Sequence, residues 1–321
     1  MVQSALVGQK PANQHDKDII EGFWRFINRH YGPGGPPHPS IIPKKPVPGA
    51  SDQSNVPRVY GVSFAMFFFI LLITTARLLT RALKKQLKWG SDDWAIIPAT
   101  ILLLAYELVV VAGVKNSGFG KHIWEITYQN YQNYFMNLTI GSELFYAGMG
   151  ILKISITLFN KRLAGLTSRK WQIYLNGLLV IYTLYVITAI LTQAIMCVPV
   201  WILMRFDDLG TRNYMSKCLD SDQVSKALGL LHACFDFFLL PIPLIILRRT
   251  RMTTAQRMKL TLLFSMGLLS FIASIVRATL YIHRSASKDA TCTCLNSFLS
   301  SLFFTLFCPP LRHSPPVQLS R

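Results

Sequence analysis

Residues 59–80 read VYGVSFAMFFFILLITTARLLT, and Arg81, Lys84, Lys85 and Lys88 follow at once. An apolar run of about 22 residues is long enough, as a helix, to cross a hydrocarbon layer of ~30 Å. A basic cluster directly after it is the mark of a loop held in the cytoplasm. This pairing of long apolar run and short basic block recurs along the chain and decides its class.

Five more runs of the same kind lie near Trp94–Val114, Leu138–Asn160, Trp171–Met196, Ala227–Leu247 and Met258–Ile282. Backbone groups in lipid must bond within their own segment, so these runs predict helices. The expected fold is all-α, a polytopic transmembrane bundle with six clear spans and a missing or altered seventh. Composition agrees: 51% of residues are hydrophobic, 15% are charged, and mean hydropathy is +0.34. The net charge of +18 is spread in short blocks between apolar runs, which orients helices and argues against a nucleic-acid surface.

The third loop carries Lys161, Arg162, Arg169 and Lys170, and the fifth carries Arg248, Arg249, Arg251, Arg257 and Lys259. The second loop has only Lys115 and Lys121, and the fourth mixes its basic residues with Asp207, Asp208, Asp220 and Asp222. Loops one, three and five are therefore expected in the cytoplasm and the N-terminus outside, in a multi-pass protein of the plasma membrane.

Residues 1–58 form an expected extracellular tail, residues 59–288 the membrane domain, and residues 289–321 an atypical C-terminal tail. The first residues are polar and lack the apolar core of a cleavable signal, so the first span is expected to serve for targeting. Ile19, Ile20, Phe23, Trp24 and Ile27 share helical spacing, which leaves two readings: an amphipathic helix lying on a membrane surface, or a partly ordered tail. A linker rich in proline and glycine follows from Gly32 to Gly49. Cys294–Cys308 is apolar but short for a span, and Pro309-Pro310 ends it. A marginal seventh helix, a re-entrant segment and a disordered tail all remain open there.

The motifs within these runs resemble the fungal rhodopsin-domain integral membrane proteins, orphan receptor-like proteins proposed to be related to G-protein-coupled receptors. Asp92, Asp93 and Trp94 open the second span, and Gly118-Phe119-Gly120 lies in the second loop. Tyr146 and Ser155 belong to the Glu143-Leu-Phe-Tyr and Leu152-Lys-Ile-Ser motifs of the third span, and Pro241 and Pro243 mark the fifth. The resemblance covers about residues 60–282. It implies a rhodopsin-like bundle that is not an enzyme, with a small extracellular ligand and a cytoplasmic signalling protein as partners beside the lipid bilayer. Such proteins continue into a seventh helix with a Trp and a Glu, which this chain lacks. We therefore expect a truncated or mis-spliced reading of the gene.

Ionisable residues within spans mark functional sites or interhelical packing. Five stand out: Glu107, Glu143, Lys153, Asp236 and Arg277. By helical rise, Glu143, Arg277 and Glu107 lie roughly 8, 6 and 10 Å below the outer ends of their spans, which predicts an outer charge cluster. Lys153 and Asp236 lie deeper and are a second expected pair. Two readings stay open for all five, a polar pocket or switch and a set of packing contacts. Asp92 and Asp93 are read as caps for the second span, offsetting its unsatisfied N–H groups.

Cys197 and Cys218 bound the fourth loop on the oxidising side, where a disulfide is expected, as the resemblance also implies; two independent thiols are the alternative. Asn137-Leu138-Thr139 matches a glycosylation sequon close to the membrane. No metal is expected: Cys292 and Cys294 lack partners, and His122 and His232 are isolated in sequence. No cofactor is expected either. Lys153, the one lysine well inside a span, sits toward the cytoplasmic half, where retinal is a poor fit. The function read from these features is a receptor-like bundle of unknown ligand, signalling through basic loops. The alternative is a transporter or channel using intramembrane charges.

Overall fold

The computed structural model describes residues 11, 13–30, 55–83, 89–121, 125–164, 169–195, 197–198, 205–211, 217–218 and 221–242, with single positions between 265 and 279. Its helices are α1 (Gln14–His30), α2 (Val56–Leu83), α3 (Ser91–Asn116), α4 (Tyr128–Ala164), α5 (Arg169–Ala194), α6 (Phe206–Thr211) and α7 (Ser221–Leu239). Two short strands, β1 (Cys197–Val198) and β2 (Lys217–Cys218), pair antiparallel between α5 and α7.

Four helices are long and apolar enough to cross a membrane: α2, α3, α4 and α5. The expectation of six clear spans is thus corrected to four among the described residues. The fifth expected run, Ala227–Leu247, begins on α7 and is described only as far as residue 242; the 19 residues of α7 include Asp222, Lys226 and Asp236. Among the described residues these three charged groups keep α7 out of the apolar class, with Asp222 and Lys226 standing before the expected run and Asp236 within it. The sixth run, Met258–Ile282, and the tail at 289–321 lie outside the described residues apart from the single positions.

The sides of the bundle carry what a water-soluble protein hides. Phe64, Phe68 and Leu72 on α2, Ile101 and Leu108 on α3, and Val180, Leu184 and Leu191 on α5 are all exposed. An apolar surface this continuous suits contact with lipid chains.

In lipid, helices meet through close packing and polar contacts rather than hydrophobic burial. α4 supplies both. A Cβ on Gly150 would lie 2.3 Å from Val186 Cγ2 of α5, and one on Gly148 would lie 3.1 Å from Leu103 of α3. The missing side chains let both neighbours approach. Between α2 and α3, the hydroxyls of Thr74 and Thr100 meet at 3.1 Å. The core around α3 and α4 includes Ile96, Leu103, Tyr106, Phe145, Met149 and Tyr185.

At 37 residues, α4 is about 55 Å long, well beyond the hydrocarbon thickness. Hydropathy placed its start near Leu138, but the helix begins ten residues earlier, at Tyr128. That first part carries Tyr131 and Phe135, which pack edge-to-face on Phe23 of α1 or on Phe206 of α6. The apolar face of α1, with Ile19, Phe23 and Phe26 buried, is therefore covered by protein rather than by lipid headgroups. Polar contacts surround this aromatic centre: Arg25 donates to the Leu209 carbonyl at 3.0 Å, and Gln132 exchanges hydrogen bonds with Asp207.

The turn from α3 into α4 needs two glycines. Gly118 and Gly120 have φ of +71° and +82°, left-handed conformations that side chains disfavour. Between them Phe119 is driven inward onto Tyr134, with ring centroids 5.4 Å apart. Asn137 of the sequon donates to the Ser117 hydroxyl at 2.6 Å in the same region.

Candidate functional site

The ionisable side chains buried along the bundle fall into three tiers. Glu107 on α3 is buried at the tier nearest the α3–α4 turn, hydrogen-bonded to Ser63 of α2. Glu143 on α4 lies at a similar height, with its Oε2 buried and lacking a partner among the described residues. No ion pair joins these two carboxylates to a cation among the described residues, and Arg277 lies outside them.

The second tier lies roughly 15 Å further along α4, ten residues on. Here the fully buried Lys153 places its Nζ 2.6 Å from Asp236 Oδ1 and donates to the His232 carbonyl at 2.8 Å. The other carboxylate oxygen of Asp236 accepts from Ser274 at 2.5 Å, and His232 Nε2 stands 3.7 Å from it. Phe145, Tyr182 and Phe235 bring apolar and aromatic surface around the cluster. Tyr182 directs its own hydroxyl to the Phe235 carbonyl at 3.1 Å. The i, i+4 spacing of His232 and Asp236 puts both on one face of α7, toward α4.

The third tier sits at the opposite end, where α2 ends and α3 begins. Arg77 Nη2 lies 3.0 Å from Asp92 Oδ2 and 3.5 Å from Asp93 Oδ1. Arg81 reaches the same two carboxylates at 3.5 and 3.4 Å, and Arg162 of α4 reaches Asp92 Oδ1 at 3.6 Å. Asp93 also accepts from the Gly90 backbone N–H at 3.2 Å, so it caps α3 as well as pairing. Ser155 of α4, fully buried, donates to the Asp92 carbonyl at 2.7 Å. Trp94 projects outward beside Trp89, with centroids 6.0 Å apart. Tyr146 is buried in the α3–α4 core, Pro241 is half-buried, and Pro243 lies outside the described residues.

Reading the sequence left Arg77 out altogether and gave Arg81 and Arg162 only an orienting role. A signal existed: Arg77 and Arg81 are one turn apart on α2, and the two aspartates open the next helix. His232, isolated in sequence, is brought to the buried pair by the fold. The disulfide is also corrected. Among the described residues no cysteine is joined to another, and the side chains of Cys197 and Cys218 lie outside them. Backbone pairing joins the two ends of the loop there, with Cys197 opposite Cys218. No group of metal-ligating side chains occurs among the described residues.

The profile of the family described as "Fungal rhodopsin domain" matches residues 76–304. Wortmanamides biosynthesis cluster protein C of Talaromyces wortmannii is 22% identical over 67% of this chain and 58% of its own length. Receptor GIN3 of Arthrobotrys oligospora is 25% identical over 71% of this chain and 54% of its own. The chain thus spans a little over half the length of these two relatives. No solved structure matches it.

Proposed function

The chain belongs to the fungal rhodopsin-domain family, and from that premise we propose that it is a multi-pass membrane protein that works through the charges buried in its bundle, in the manner of a transporter or channel. The single observation that carries this reading is the Lys153–Asp236 pair, sealed between α4 and α7. Burying two charges costs several kcal/mol each, and an apolar pair of the same volume packs at least as well. Retaining them in lipid favours a use. The tiers above and below supply further ionisable groups along the bundle length. Family membership argues for a non-catalytic protein.

The family's name raises retinal. A protonated retinal Schiff base has one N–H, whereas Lys153 Nζ serves both the Asp236 carboxylate and the His232 carbonyl. These contacts suit a free ammonium, so the residues present do not fit that cofactor.

In the proposed orientation, residues 1–58 and the α3–α4 turn lie outside, and the arginine-rich end lies in the cytoplasm. The plasma membrane is the proposed location. A second reading is favoured by the relative named as a receptor. In it, a small extracellular ligand acts at the end covered by α1, and the basic loops meet a cytoplasmic signalling protein.

The test is reconstitution of the full chain in liposomes holding a pH-sensitive or potassium-sensitive dye. Flux above that of empty liposomes, lost in Asp236→Asn, is the expected result. Absence of flux from the folded wild-type protein overturns the transport reading and leaves the receptor reading.

A further inference from the structure

The residues around the Lys153–Asp236 pair narrow the choice of ion that such a pair can pass. The two oxygens of Asp236 face different donors: Oδ1 lies 2.6 Å from the Lys153 ammonium, and Oδ2 accepts from Ser274 at 2.5 Å. Two backbone carbonyls at hand are taken as well, that of His232 by Lys153 and that of Phe235 by Tyr182. An alkali cation gives up its hydration shell only for a ring of protein oxygens. Among the described residues the cluster offers no such ring, and its own ammonium sits where the cation would bind. A proton needs only one lone pair.

His232 is a buried titratable group that the ion pair itself does not use. It is 3% exposed, and its Nε2 stands 3.7 Å from Asp236 Oδ2. That is about 0.5 Å beyond the ~3.2 Å limit of a hydrogen bond, a gap that a small side-chain rotation closes. On the helical rise, His232 lies ~6 Å nearer than Asp236 to the start of α7, the end that carries the β1–β2 loop. Phe145 stands against its ring, with centroids 5.7 Å apart. Tyr146 comes next in that direction: a Cβ on Gly229, one turn before His232, would lie 4.0 Å from the Tyr146 hydroxyl. The polar groups that face the site are thus Lys153 and Tyr146 from α4, Tyr182 from α5, His232 and Asp236 from α7, and Ser274.

We propose that the ion is a proton and that His232 passes it to Asp236, an inference that rests on the transport reading above. The imidazolium Nε2–H bond breaks, and an O–H bond forms at Asp236 Oδ2. The products are a neutral imidazole and a neutral carboxylic acid. Lys153 loses its counter-ion and keeps the His232 carbonyl, so the tie between α4 and α7 loosens. When the ion pair re-forms, Asp236 gives the proton to water toward the arginine-rich end. His232 then takes its next proton from water at the β1–β2 end. Histidine gains and loses a proton readily, and His and Asp within membrane helices build relays of this kind.

The full chain is reconstituted in two sets of liposomes, one holding a pH-sensitive dye and the other a potassium-sensitive dye. A pH step with valinomycin drives the first, and a potassium gradient with a proton ionophore drives the second. Proton flux without potassium flux is expected. It is lost in Asp236→Asn and falls about a hundredfold in His232→Gln, the lower end for a positioned proton-transfer group. The residual flux of His232→Gln also depends less on pH than that of the wild type, a readout that packing alone does not move. Potassium flux without proton flux overturns the inference and leaves the transport reading standing. Flux of neither ion overturns that reading and the inference with it. Wild-type proton flux in His232→Gln overturns the role of His232. Where His232→Gln does not fold, the pH-difference infrared spectrum of the wild type in lipid decides. A carboxylic-acid C=O band that is missing in Asp236→Asn supports the transfer, and no such band at any pH overturns it.

Discussion

The hydroxyl of Ser155 donates 2.7 Å to the backbone carbonyl of Asp92, so α4 holds α3 at the very residue that gathers three arginines. Two helices and an ion network therefore share one fixed point. Ser155→Ala removes the contact while leaving every charge in place. A loss of about 1 kcal/mol is expected, the upper range for polar contacts between membrane helices. Thermal unfolding in detergent, with a lower midpoint and unchanged oligomeric state, checks it.

The Lys153–Asp236 pair predicts a non-additive result. Lys153→Met leaves Asp236 buried beside Ser274 and His232 without its cation, a loss of about 3–5 kcal/mol. Lys153→Met with Asp236→Leu removes both charges and recovers most of it. A double-mutant cycle read by chemical denaturation would show a coupling of about 2 kcal/mol or more. Additive losses would mean the two side chains do not depend on each other.

Asp92 and Asp93 are predicted to differ in kind. Asp92 pairs with Arg77, Arg81 and Arg162, whereas Asp93 pairs with two of them and also caps Gly90. Asp93→Asn keeps a cap acceptor and loses charge, while Asp93→Ala loses both, a further cost of about 1 kcal/mol. Asp92→Asn leaves three arginines with one carboxylate among them, and is expected to lower the yield of folded protein more than Asp93→Asn. Fluorescence-detected size exclusion of the solubilised protein gives the comparison.

Gly150 has no room to grow. A methyl placed 2.3 Å from Val186 Cγ2 forces α4 and α5 apart. Gly150→Ala is expected to cost about 1–3 kcal/mol. Val186→Ala, by vacating the contact, should rescue part of that loss in the same unfolding assay.

At the other end, Phe206 sits against Phe23, Phe26 and Phe135 at once. Phe206→Ala opens the aromatic seat of α1, with a local loss of about 3 kcal/mol. Hydrogen exchange should then speed up in α1 while α3 and α5 stay protected.

Hydropathy was enough to find α2, α3, α4 and α5, because a membrane span is defined by apolar length and by little else. It failed where that rule stops applying. The first ten residues of α4 are aromatic and polar, since they leave the lipid and pack on α1 and α6. α7 carries its apolar residues together with Asp222, Lys226 and Asp236, so its 19 residues do not form an apolar span. The arginines at 77 and 81 resembled ordinary flanking cations, and only the turn into Ser91 brings them onto Asp92 and Asp93. Lys153 and Asp236 were visible as charges, but their distance rests on how two helices 83 residues apart are docked.

From Asn137 to Lys161, α4 has no exposed residue on any face, unlike α2 and α5, which alternate. Such a helix has no outer side on which variation is neutral. A saturation scan of that segment should therefore show intolerance without a 3.6-residue rhythm, while scans of α2 and α5 should show it clearly. α4 is the spindle of the protein: it cannot turn about its own axis without disturbing neighbours on every side, so any movement it makes must be a slide or a tilt.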